Sequence, residues 1–185
     1  KNNGQLDYVK QAVFLARRIK KYLKVPVSLA TDSPVYLEQT YGTDDFDKVI
    51  KLDYTEEGNM RYFYDGALSK KSAGFKNANR ASAYELSPYD ETLLLDTDYI
   101  ISNNLLASVF ESDADFMIYK KSSDISQARN EDEFQKIDDV SVDFYWATVV
   151  FFKKTETNKK FFDLVKHIED EWHHYRRTYQ IKSHL

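Results

Sequence analysis

Two carboxylates one residue apart, Asp96 and Asp98, follow directly on the apolar run Leu93-Leu94-Leu95. A run of this kind, bounded by polar residues, reads as a short strand buried on both faces. In an open α/β sheet, ligands collect just beyond the carboxyl ends of such strands. Asp96 and Asp98 would sit there, with Thr97 pointing the other way. Two hard oxygen donors suit a divalent cation that keeps some of its waters and takes further ligands from substrate phosphates. The same tripeptide also has a plain use, since aspartate at a strand end forms turns and caps helices. Asp98, for example, could cap a helix starting near Ser102.

Cations stand just upstream. Lys76 and Arg80 are four residues apart on a helix predicted over Ser72 to Leu86, whose apolar positions are Phe75, Ala78, Ala83 and Leu86. At that spacing they share a face. Arg80 offers a diphosphate a planar fork and Lys76 a point charge, while the plainer reading is a solvated basic stripe. Farther on, Asp143 and Trp146-Ala147-Thr148 flank a dense apolar run and are candidates for sugar or acceptor contact; core packing explains Trp146 equally well. His167, His173 and His174 lie on a predicted helix, where surface histidines are the expected case.

The elements that must position these groups alternate. Leu6 to Lys24 carries Leu6, Val9, Val13, Ala16, Ile19 and Leu23 at three- and four-residue steps, an amphipathic helix. Val25 to Ala30 reads as a strand ending at Thr31-Asp32, with a turn at Ser33-Pro34, and Lys48 to Leu52 as another strand. Residues 54–71 show no period and are taken as an irregular connection. Leu105 to Phe110 is a short helical stretch, Ala114 to Tyr119 a strand, and Lys120 to Asp139 a polar loop of the length that serves as a lid. Val140 to Phe152 contains the second dense strand, and Thr157 to Tyr179 one long helix. This rhythm is that of a doubly wound sheet. Such a sheet normally opens on a strand, whereas this sequence opens almost on its first helix, so either the first strand is cut away or the first few residues are the remnant of a loop.

Composition bounds the options. The chain has 185 residues, 42% hydrophobic and 30% charged, which fits one globular domain. The absence of cysteine excludes disulfides, thiolate metal sites and a cysteine nucleophile, and fits a reducing, cytoplasmic setting. No apolar run approaches the roughly 18 residues of a membrane span, and no signal peptide is visible. A formal net charge of −4 argues against a broadly cationic nucleic-acid binder.

The pieces resemble a family. The helix with Ala12 and Ala16, the strand ending Thr31-Asp32, Phe75-Lys76 to Arg80, Pro88-Tyr89-Asp90-Glu91-Thr92-Leu93-Leu94-Leu95-Asp96-Thr97-Asp98, and Val149-Val150-Phe151-Phe152 with a following helix occur in the order seen in GT-A glycosyltransferases. The pattern is that of the glycogenin-like and bacterial galactosyltransferase-like group, and its specific part covers about residues 72–101. The resemblance implies an α/β, Rossmann-like GT-A sheet, mostly parallel, with helices on both faces. It implies a single domain over 1–185 that lacks its first strand and C-terminal part. The activity implied is metal-dependent transfer of a sugar from a nucleoside-diphosphate sugar, a UDP-sugar above others, to an acceptor such as a carbohydrate or a modified DNA base. Asp96 and Asp98 would hold Mn²⁺ or Mg²⁺ against the diphosphate. Asp32 would lie near the nucleoside, Lys76 and Arg80 near the phosphates, and Asp143 would be the acceptor-side base of an inverting enzyme. Three departures stand out: the first strand, which normally supplies nucleotide contacts, is missing, there is no His-x-x-Gly-x-x-Lys segment, and Trp146-Ala147-Thr148 replaces an expected Asn-Ala-Gly.

Two other classes compete. A sugar-phosphate nucleotidyltransferase would share the sheet and use Asp-bound Mg²⁺, but it would carry a Gly-rich phosphate loop near its start, where only Gly4 stands. A non-catalytic α/β domain would use Asp96 and Asp98 merely to end a strand.

Overall fold

Helix α1 (Tyr8–Tyr22) is where the sequence pattern acts most directly. Asp7 caps it by accepting a hydrogen bond from Lys10 N at 3.0 Å, and Lys20 and Lys21 occupy its last turn, where cations meet the negative end of the helix dipole. Its buried positions Val9, Ala12, Val13, Ala16 and Ile19 repeat at three and four residues. The computed structural model describes residues 6–53, 60–65, 69–74, 80–120, 143 and 145–179. Gly4, Lys76 and the polar stretch 121–139 lie outside these, so the lid expectation does too.

Strand β1 (Ser28–Thr31) pairs in parallel with β2 (Lys48–Lys51), and α2 (Pro34–Thr40) connects them. Proline at the first helical position explains why α2 forms where the sequence read only a turn. β3 (Met60–Asp65) and β4 (Ser69–Gly74) make an antiparallel hairpin. That hairpin corrects both the irregular connection expected to residue 71 and the helix expected from Ser72. The helix that does form, α3 (Ala83–Leu86), is a single turn.

The third sheet has the order β5-β7-β6, with β5 (Glu91–Leu95) and β6 (Phe116–Tyr119) both antiparallel to the central β7 (Trp146–Lys153). A 3-10 helix, Leu105–Glu111, precedes β6. Helix α4 (Glu156–Asp170) follows β7, capped by Thr155, and α5 (Trp172–Thr178) continues after a break at Glu171 where one long helix was expected. Buried Asn158 ties the parts together, donating from Nδ2 to the Asp115 carbonyl at 2.7 Å and the Lys153 carbonyl at 2.9 Å.

The expected mostly parallel, Rossmann-like sheet is therefore wrong. The described strands form a two-stranded parallel pair, a hairpin and a separate three-stranded antiparallel sheet. The physical reason lies in β7. A strand buried on both faces is an uninterrupted apolar run whichever way it points, so Val149-Val150-Phe151-Phe152 carries no record of its direction. The parallel pair and the antiparallel sheet are joined through α1, not by a ladder: Leu15, Ala16 and Ile19 pack with Val27 beside β1 and with Leu93 and Leu95 of β5.

Candidate functional site

Because β5 and β6 both run against β7, their carboxyl ends flank its beginning. Leu95 lies opposite Val149, and Asp96 N donates to the Thr148 carbonyl at 3.2 Å. On the other side Tyr119 lies opposite Trp146, after a register shift from the Ile118–Val150 pair. The shift leaves Ala147 to Val149 without a register partner on β6, which is where an irregularity re-aims backbone groups. The ion pairs Arg80–Asp96 and Lys120–Asp143 both stand at this end.

Asp96 is fixed by a turn, Tyr99 N donating to its carbonyl at 3.2 Å. Arg80, three residues ahead of α3, reaches across. Its Nη2 donates to Asp96 Oδ1 in an ion pair, and its Nη1 donates to the Ala147 carbonyl. One guanidinium thus spans β5 and β7. The pair is partly buried, the side chains of Arg80 and Asp96 being 25% and 33% exposed. Burial lowers the Arg80 proton affinity, and the nearby Asp98 charge offsets only part of that. Asp98 itself is exposed. It caps no helix at Ser102, since the 3-10 helix begins at Leu105 behind Asn104.

The remaining sequence candidates fall as follows. Asp143 pairs with Lys120 Nζ at 2.5 Å, which raises the Lys120 pKa, first through the hydrogen bond and then through the charge. Lys120 follows Tyr119, so this pair stands at the same end of the sheet as Asp96, across β7 from it. Asp32 follows β1 and accepts from Ser33 Oγ at 2.8 Å, a local contact ahead of α2. Lys76 lies outside the described residues. Arg80, Asp96 and Asp98 are therefore the candidates brought within reach of one another.

Tyr99 was missed. Burial pushes its hydroxyl above 10.0, the Tyr119 hydroxyl pushes the same way, and a hydrogen bond with Thr148 pulls it down. Its position directly after Asp98 was the one available signal.

No group of three or more His, Cys, Asp or Glu that could hold a metal ion is assembled among the described residues. A hard cation that brings its own waters and phosphate ligands fits two carboxylates, provided Arg80 gives up its hold on Asp96. His167 and His174 instead contact the Tyr175 ring, at 5.8 and 5.3 Å between centroids. An apolar cavity of about 480 Å³ opens between β1 and β5, lined by residues such as Ala12, Ala16, Leu29 and Leu93, with Arg80 among its few polar neighbours.

Comparison with known proteins returns no matching family model, no matching curated protein and no matching solved structure. No helix among the described residues is long and apolar enough to cross a membrane.

Proposed function

We propose that this chain is a metal-dependent glycosyltransferase that moves a sugar from a nucleoside-diphosphate sugar, a UDP-sugar, to a hydroxyl of a carbohydrate or a modified DNA base in the cytoplasm. The observation that carries the reading is the meeting of Arg80 with Asp96, beside Asp98, at the carboxyl end of the half-buried strand β5. Glycosyl transfer loads negative charge onto a departing diphosphate as the C1–O bond breaks. Arg80 supplies fixed positive charge where that develops, and such preorganised charge lowers the barrier directly. Mn²⁺ or Mg²⁺, when bound, supplies Lewis-acid stabilisation of the same leaving group. The oxocarbenium character of the transition state makes leaving-group stabilisation effective. Asp143, held by Lys120 across β7, is the carboxylate for an acceptor proton.

A second reading is favoured by the same ion pair. Arg80 neutralises Asp96 and ties β5 to β7, which is what a purely structural strand end would need. Calorimetric titration of UDP-sugars with Mn²⁺ separates the two. The transferase reading expects metal-dependent binding that Asp96→Ala/Asp98→Ala abolishes. Binding indifferent to both metal and aspartates, or none at all, favours the structural reading.

A further inference from the structure

We propose that Arg80 is an exchangeable counter-ion, holding Asp96 while the site is empty and releasing that carboxylate to a divalent cation as its own charge passes to a diphosphate. The inference rests on the donor-site reading above and adds to it how the site is kept until the donor arrives.

Three observations lead there. Asp96 Oδ1, one of the four carboxylate oxygens that Asp96 and Asp98 offer, is taken by Arg80 Nη2. A cation seeking that oxygen competes with a guanidinium whose position is set from a second side by the Ala147 carbonyl. The pair is also partly buried, at 25% and 33% side-chain exposure. Burial already disfavours the charged guanidinium, so Arg80 leaves Asp96 readily only toward another anion. Finally, the local charge matters. Asp96 and Asp98 against Arg80 leave one net negative charge. A dication alone would reverse that to one positive, with Arg80 displaced and unpaired. A diphosphate arriving with it supplies negative charge, and its oxygens accept from the arginine fork.

Cation and diphosphate should therefore bind with positive coupling, and the coupling should run through Arg80. Reciprocity requires each ligand to raise the affinity of the other by the same factor, typically about 5- to 150-fold for coupled sites. With Arg80→Gln the competitor is gone, so Mn²⁺ alone should bind more tightly than to the unmodified chain. UDP should bind more weakly, and the factor by which UDP improves Mn²⁺ affinity should fall to the part that direct coordination of the cation by phosphate oxygens supplies. Arg80→Lys keeps the charge but not the fork that spans Asp96 and Ala147, and should fall between.

The test is Mn²⁺ binding followed by electron paramagnetic resonance of the free ion, with and without UDP. It is run on the unmodified chain, on Arg80→Gln and on Arg80→Lys, each checked for native circular dichroism. Tighter Mn²⁺ binding in Arg80→Gln with the UDP coupling reduced supports the exchange. Mn²⁺ affinity that is unchanged or weaker in both variants overturns it. In that case, UDP and Mn²⁺ binding that still requires Asp96 and Asp98 leaves the donor site standing. Should Arg80→Gln tighten Mn²⁺ while UDP binds no form of the chain, Arg80 remains a competitor for the cation and the donor-site reading falls.

Discussion

The three-stranded sheet and the β1–β2 pair solve the same burial problem differently. In the sheet, β7 is the central strand, and Phe151 and Phe152, 1% and 0% exposed, point to its two faces. Phe152 meets Phe162 of α4 at 4.8 Å between ring centroids, and Phe151 meets Phe110 of the 3-10 helix at 5.5 Å. The β1–β2 pair has two strands, too few for independent stability. It leans on Val9, Ala12 and Val13 of α1 and on Leu37 of α2. The sheet that is packed from both sides is the one whose end carries Arg80, Asp96 and Asp98. A site that must hold charges in place belongs on the rigid element, and the pair serves as support.

The largest effects should come from breaking either core. Phe152→Ala removes a fully buried ring and should cost about 3–5 kcal/mol, with Leu37→Ala in the support costing about 2–5 kcal/mol. Since α1 packs against both regions, each substitution should lower the midpoint of one shared transition in urea. Two separate transitions, with Leu37→Ala shifting one and Phe152→Ala the other, would show that α1 does not couple the regions.

A middle-sized effect separates the two aspartates. Asp96→Ala strands a partly buried guanidinium and should cost about 1–2 kcal/mol, reduced from the cost at a dry site by the remaining exposure. Asp98→Ala, at an exposed turn, should stay within about 0.5 kcal/mol. Both should nonetheless weaken Mn²⁺-dependent binding of a UDP-sugar. Equal stability costs from denaturation curves would mean that the Arg80–Asp96 pair contributes nothing beyond the surface.

How much of this was legible follows from what each residue encodes locally. α1, β1, β2, β5, β6 and α4 were readable because an apolar period or run is written into adjacent residues, while the caps Asp7 and Thr155 went unread. Arg80 was legible only as a cation ahead of the strand end that carries Asp96 and Asp98, and it was placed on a helix whose first residues belong to β4 instead. The ion pair itself was not, because it depends on where β7 places the Ala147 carbonyl. Sheet direction was illegible for the same reason: doubly buried strands look alike in either sense. The β3–β4 hairpin escaped notice because residues 60–74 alternate too weakly to separate from a connection. Asp143 was singled out for its place beside a strand run, while its partner Lys120 is distant in sequence and so invisible to a local pattern.

The smallest effect compares one tyrosine from each region. Tyr41, in the support, donates to Asp7 Oδ2 at 2.6 Å; that bond is the first cause of a strong upward shift of its hydroxyl, followed by burial and by Tyr36. Tyr99, at the site, is raised first by burial and then by Tyr119, with Thr148 opposing. In both cases the folded value lies above the unfolded one of 10.0. Below pH 10 both states keep the proton, and the stability tied to the neutral hydroxyl is fully present. As the pH rises through 10, the unfolded chain ionises first, and that stability is lost progressively toward the folded value. Tyr41→Phe and Tyr99→Phe should each flatten the alkaline fall of the unfolding midpoint. Tyr41→Phe should flatten it more, because a direct bond to a carboxylate opposes ionisation more strongly than burial offset by a threonine hydroxyl. Midpoints measured from neutral pH to above 10 decide the order. If Tyr99→Phe proves the larger, the tyrosine at the site is held in a drier place than the support offers, and the contrast between the two regions sharpens in favour of the site.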